Sequence, residues 1–207
     1  MYIASMLPTP TVDLVKEECR LYDEDPFNQL GDKALKELLE QFPKNTVVSH
    51  VLLKVLVLDR LYHTRILEIH VEPLARHIAG LEIDLLLEQS SLRAVDRIFV
   101  CPGLNRKYYS FATKFCSWHK PAAYPIYDRY AVKCLWSYKE QETAAKQEPF
   151  KEFTLEDLWY YDKFVATVTA FREYYGLDCL TFRQIDKFLW RSGERILRAL
   201  GQKRQDP

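Results

Sequence analysis

The sequence predicts an all-α fold of about nine helices, and three observations carry that reading. Apolar residues recur at helical spacing through most of the chain. Glycine is sparse, at 6 residues, and Asn-Gly or Asp-Gly hairpin signals are few, which argues against the many tight turns of an all-β protein. Apolar residues make up 48% and charged residues 28% of the 207 residues, the composition of a folded chain with a full core. No internal repeat or linker interrupts it, so residues 1–207 read as a single all-α domain.

Residues 1–10 read as an extended arm broken by Pro8 and Pro10. Thr11 is placed to cap a helix carrying Val12, Val15, Cys19 and Tyr22 on one side, with Asp13 in its first turn. Asp25-Pro26 marks a loop. Leu35, Leu38, Leu39 and Phe42 then stripe a helix from Leu30 that Pro43 ends. Asn45 or Thr46 is expected to cap a buried helix reaching Tyr62. The polar knot Asp59 to Arg65 follows, then a helix over 66–78 closed by Gly80. A short piece at Leu85 to Leu87 leads to a helix over 91–100. Cys101-Pro102-Gly103 turns the chain, and a helix is expected from about Arg106 to His119. Pro121 and Pro125 frame a return to Asp128, which opens a helix to about Tyr138. Residues 139–152 are polar and read as a mobile loop. Thr154 with Asp157 starts a helix over 155–175 in the manner of a capping box, and Gly176 closes it. Thr181 caps the last helix, and the end from Gly201 reads as a frayed tail.

Net charge is zero but unevenly spread. Residues 1–45 hold five basic and nine acidic side chains, residues 101–140 seven and two, and residues 191–207 five and two. Two basic islands on a neutral chain suit a local anion-binding face, although a dedicated nucleic-acid binder is usually more basic overall. Five scattered cysteines with no CxxC pair fit free thiols in a reducing cytoplasm. The N-terminus lacks the charged and apolar regions of a signal peptide, and no stretch approaches the ~20 apolar residues of a membrane span. No P-loop, G-x-G-x-x-G, G-x-S-x-G or H-E-x-x-H motif is present. Cys116-x-x-His119 has no second pair at usable spacing, so neither cofactor nor metal is expected.

Chemistry-bearing residues concentrate in residues 101–128, C-P-G-L-N-R-K-Y-Y-S-F-A-T-K-F-C-S-W-H-K-P-A-A-Y-P-I-Y-D. Asp128 is an isolated acid in a basic, aromatic neighbourhood. A lysine amine attacks a sugar C1′ and forms a Schiff base when burial or neighbouring cations lower its pKa. Arg106, Lys107 and Lys114 are the cations here. A nearby aspartate stabilises a developing oxocarbenium charge or shuttles protons. Hairpin N–H groups and the following helix start hold a phosphate. Tyr108 and Trp118, with Tyr109 and Phe111, supply stacking surfaces for an extruded base. The plainer reading makes Tyr108, Phe111, Phe115 and Trp118 core, Lys107 a surface lysine and Asp128 an N-cap.

The order of helix, Pro-Gly turn, helix, Pro-bounded return and Asp resembles the helix–hairpin–helix DNA glycosylase superfamily, and within it the 8-oxoguanine DNA glycosylases. Pro102-Gly103-Leu104-Asn105-Arg106-Lys107 stands where that family has its hairpin and catalytic lysine. Lys120-Pro121 and Pro125-Ile126-Tyr127-Asp128 stand where it has its turn and aspartate. Asn105 replaces the hairpin's second glycine, Ile-Tyr rather than one residue precedes Asp128, and Lys114 competes with Lys107. F-A-T-K-F-C-S-W-H and Y-P-I-Y-D are similar to segments of a short bacterial glycosylase-like branch. The hairpin position favours Lys107 as nucleophile and the bacterial branch favours Lys114, and of the two Lys107 is the expected nucleophile. The resemblance implies an orthogonal helical bundle and a glycosylase/lyase acting on a damaged base, an oxidised purine for example, in double-stranded DNA. It implies a working Lys–Asp pair with Asp128. It also implies DNA contacts from Gly103, Asn105, Arg106 and Arg129, and from Arg60, His63 and Arg65 in the polar knot. The competing expectations are a catalytically silent nucleic-acid-binding module and a defence-associated helical protein-interaction module.

Overall fold

The computed structural model describes residues 7–201, so part of the N-terminal arm and the tail beyond Gly201 lie outside the described residues. The described residues form ten α-helices, one short 3-10 helix and no strand. The all-α expectation holds. In chain order the helices are α1 Val12–Asp23, α2 Pro26–Gln41, α3 Val48–Tyr62, α4 Glu68–Ala79, α5 Ile83–Glu88, α6 Arg93–Phe99, α7 Tyr109–His119, α8 Arg129–Ala144, α9 Tyr161–Tyr174 and α10 Phe182–Ala199, with the 3-10 helix at Asp157–Trp159. Among the described residues no helix is long and apolar enough to cross a membrane. Where the sequence reads as one domain, the chain forms two compact units. One is contiguous over residues 24–124, and the other joins residues 7–23 to residues 125–201.

In the contiguous unit, α2 begins earlier than its apolar stripe suggests. Asp25 accepts the Asn28 N–H at 2.9 Å, and Pro26 occupies a first-turn position where its missing N–H costs nothing. The expected loop at Asp25-Pro26 is therefore a helix start. α3 packs against α2, α4 and α7, and α6 against α7. Leu35, Val51, Val55, Leu58, Leu74, Ile78, Val95, Ile98, Phe111 and Phe115 are buried. Each such side chain contributes about 1.5–3 kcal/mol on leaving water. Neither Asn45 nor Thr46 caps α3. Val47 holds that position without a side-chain bond, because Asn45 is buried and bonded elsewhere.

In the other unit, α10 packs on α8 and α1. Thr11 accepts the Leu14 N–H at 3.2 Å as expected. Thr181 and Gln184 form a full capping box at α10. Thr154 and Asp157 exchange the same reciprocal bonds, but on the 3-10 helix, which precedes α9 instead of being continuous with it. The polar stretch 139–152 is only partly loop, since α8 runs to Ala144. Phe150 anchors the rest: it is buried, its N–H donates to Glu142 at 3.0 Å, and its ring meets Phe153 and Phe171. Glu142 itself is buried and also accepts the Tyr175 hydroxyl.

The closest approach of α10 to α8 depends on Gly193. A Cβ there would lie 2.1 Å from the Tyr130 carbonyl oxygen and 2.8 Å from its Cα. Backbone cannot yield as a flexible side chain does. Gly193→Ala is expected to destabilise the protein by about 1–3 kcal/mol, even though alanine is the better helix former. Urea unfolding midpoints of wild type and variant measure this, and an unchanged or raised midpoint contradicts it.

Candidate functional site

The segment that carries the chemistry begins at the end of α6. Gly103 adopts φ +83°, a left-handed turn that a side chain would strain, and the Leu104 N–H donates to the Cys101 carbonyl at 3.3 Å. Asn105, Arg106 and Lys107 are exposed. α7 starts at Tyr109, later than the expected Arg106, so Lys107 precedes the helix and is not in helical register with Lys114. The cause is Tyr108, whose backbone is non-helical. Its hydroxyl accepts the Leu67 N–H at 3.0 Å and lies 2.6 Å from His70 Nδ1. Tyr108 is 5% exposed, so it is a core residue and not an open stacking platform.

The two candidate lysines differ in surroundings. Lys107 is exposed, with its amine 5.4 Å from the Phe99 ring centroid, and the Arg106 guanidinium lies 5.5 Å from the Tyr108 ring. Lys114 is 3% exposed. Its Nζ donates to Ser110 Oγ at 2.6 Å and sits 5.7 Å from the Tyr62 ring centroid. Trp118, half-buried, donates its indole N–H to the Tyr62 hydroxyl at 2.9 Å. Ser110, Lys114 and Trp118 follow one another at four-residue spacing, so α7 presents them on one face. Tyr62 ends α3, which packs on α7.

Tyr62 also opens the polar knot. Asp59 Oδ1 accepts the Thr64 hydroxyl at 2.6 Å and the Ile66 N–H at 3.0 Å. His63 at φ 49° and Arg65 at φ 60° are both left-handed without being glycine, a conformation of order 1 kcal/mol or more above the usual wells. Arg60, His63 and Arg65 are exposed. The Leu67–Tyr108 bond ties this knot to the hairpin.

Asp128 and Arg129 belong to the other unit. Asp128 is half-buried and caps α8, its Oδ1 accepting the Tyr130 and Ala131 N–H groups at 2.9 and 2.8 Å. Arg129 is exposed and lies 4.7 Å from the Tyr130 ring.

A second polar cluster in the contiguous unit escapes the sequence reading. Lys54 is fully buried, and its Nζ donates to the Lys44 carbonyl at 3.1 Å and to Asn45 Oδ1 at 2.8 Å. Asn45 in turn donates its side-chain and backbone N–H groups to Asp84 at 2.6 and 3.0 Å. Burial, with Lys54 as a lesser cause, pushes His119 down to about 3, so its imidazole is neutral at physiological pH. Among the described residues, its Nε2 and the hydroxyl of Ser117 are buried without a hydrogen-bond partner. The signal for Lys54 was available: it interrupts the stripe Val51, Val55 and Leu58 on its own face. Cys116 is buried, and burial raises its thiol far above the usual range, which suits neither a nucleophile nor a metal ligand.

Burial pushes the Lys54 amine from its usual 10.5 down to about 8, against the pull of Asp84. Between those values the unfolded chain still holds a proton that the folded chain has released. This group's contribution therefore shifts in favour of the folded state as pH rises from about 8 to 10.5. Lys54→Met removes that dependence. The stability of wild type relative to the variant is expected to grow across this window in urea titrations, and a difference flat with pH refutes the assignment.

Comparison with known proteins places part of this arrangement in a family. The family model HI_0787_N, an N-terminal domain, matches residues 14–123, just over half of the chain. An uncharacterized protein of Haemophilus influenzae is 29% identical over 182 residues, which span 86% of this chain and 83% of that protein. No solved structure matches. The family match ends where the contiguous unit ends, and it includes Lys107 and Lys114 but not Asp128. The chain belongs to the family defined by the HI_0787_N N-terminal domain.

Proposed function

We propose that the chain is a DNA glycosylase/lyase that removes a damaged base, with oxidised purines as its first candidate substrates and Lys114 as its nucleophile. One observation carries the reading: a lysine only 3% exposed, its amine held between the Ser110 hydroxyl and the Tyr62 ring. A nucleophile must be held in one orientation, and a lysine on a buried helix with a hydrogen-bonded amine meets that requirement better than the exposed Lys107. In the reaction the neutral amine attacks C1′ and the glycosidic bond breaks. The base leaves with the bonding pair and takes one proton released from the attacking nitrogen; the second passes to O4′ as the C1′–O4′ bond breaks, which leaves the Schiff base between C1′ and the nitrogen. Tyr62 and Trp118 supply aromatic surface beside the amine. The exposed Arg60, His63, Arg65, Arg106 and Lys107 supply phosphate contacts from the same unit. The role of Asp128, stabilising the developing sugar cation, is carried over from the resemblance to the glycosylases. All five cysteines are free, in keeping with a reducing cytoplasm.

Borohydride trapping on duplex DNA carrying 8-oxoguanine or an abasic site tests this directly. Wild type and Lys107→Gln are expected to form a covalent adduct, Lys114→Gln none, and Asp128→Asn about a hundredfold less. Absence of any wild-type adduct on both substrates sinks the Schiff-base mechanism. Salt-dependent binding without excision would then identify a silent nucleic-acid-binding module, for which the exposed cations suffice.

A further inference from the structure

The contiguous unit carries a concave feature that shares no residue with the Lys114 cluster. It is an open groove of about 460 Å3, lined by His77 and Leu81, by Arg93, Asp96 and Arg97 of α6, and by Val100 and Pro102 beyond it. The volume lies in the range of small-ligand sites, roughly 300–1,000 Å3. Arg93 and Arg97 are one helical turn apart on α6, and both are exposed. Among the described residues, neither guanidinium makes a hydrogen bond or ion pair. His77 Nε2 lies 2.7 Å from the Arg97 carbonyl, so that nitrogen carries the proton and the ring is fixed at the groove edge. Leu81, Val100 and Pro102 provide an apolar wall, and Val100 is 55% exposed.

The donor set discriminates among anions. One guanidinium saturates a carboxylate with its two parallel N–H groups. Two guanidiniums one helical turn apart match an anion with at least three oxygens, such as a phosphate. Asp96 is the one carboxylate in the lining and offsets one of the two arginine charges, which disfavours polyphosphates. The apolar wall has no use for a bare ion, and it suits an organic group attached to the phosphate.

We infer that this groove binds a phosphate ester, with Arg93 and Arg97 on the phosphate and the wall of Leu81, Val100 and Pro102 against the organic part. The ester is either a free mononucleotide or a terminal phosphate of a nucleic acid, since both present the same chemistry. The site does not depend on Lys114 or on excision.

Methyl NMR titrations of the full-length protein, following Leu81 and Val100, test it. Deoxyadenosine monophosphate is expected to shift both residues saturably, inorganic phosphate more weakly, and deoxyadenosine not at all. Arg93→Gln and Arg97→Gln each weaken the monophosphate about tenfold, while Lys114→Gln leaves its affinity unchanged. Both arginines are exposed, so circular dichroism of the two variants should match wild type. A short duplex with a 5′ phosphate, run beside the same duplex without it, separates the sources. Saturation by the phosphorylated duplex below the monophosphate concentration assigns the site to nucleic-acid ends, and the reverse order assigns it to the free ester. Equal shifts with deoxyadenosine, wild-type affinity in both arginine variants, or no shift with any phosphate overturn the inference. None of these outcomes bears on borohydride trapping at Lys114.

Discussion

A charge taken out of water must be matched, and this requirement organises both units. Lys54 in α3 is fully buried, and its amine is matched by the Lys44 carbonyl and Asn45, with Asp84 one bond further on. Those bonds fasten the α2–α3 connection and the start of α5 to the middle of α3. Removing one partner of a buried charge typically costs about 3–5 kcal/mol, because the other is left unmatched. Glu18 has the same standing in the other unit. It is 4% exposed and receives Arg191 at 2.7 Å and Arg195 at 2.6 Å, which joins α1 to α10. The exposed Lys44–Glu88 pair contributes far less, since water competes for both ends.

The same constraint places the candidate site. α7 is buried from Phe111 through Ser117, so a charged group on it is costly without a partner inside the unit. Ser110 provides one for Lys114, and the Tyr62 ring provides a face for the cation. Lys114 is therefore positioned by the core rather than by a surface loop. The hairpin and the polar knot are different in kind. They expose their cations, and the buried Tyr108 hydroxyl that follows the turn accepts the Leu67 N–H just beyond the knot. The strained backbone at His63 and Arg65 persists because Asp59 holds the turn from inside.

The groove on α6 follows a contrasting rule. Its arginines are solvated, so they need no internal partner and remain available to an external anion. One unit thus holds a buried cation matched internally and exposed cations that are not, within one hairpin's reach in sequence.

What the sequence by itself determined is local. Thr11, Asp128 and Thr181 cap where they were expected to, because a cap is decided by a side chain and a backbone N–H two or three residues away. The helical repeat of apolar residues likewise declares the all-α class without reference to anything distant. What only the tertiary structure decided involves remote partners. Asn45 looks like a cap but answers to Asp84, 39 positions away, and to Lys54. Tyr108 reads in the sequence as either a stacking surface or core, and its bonds to Leu67 and His70 place it in the core, with α7 starting only after it and Lys107 outside the helix. Two lysines in one aromatic stretch are alike in sequence. The tertiary packing of α7 buries Lys114, with Tyr62 of α3 beside it, and leaves Lys107 in water. Burial is a property of what the rest of the chain brings near a residue, and no local pattern contains it.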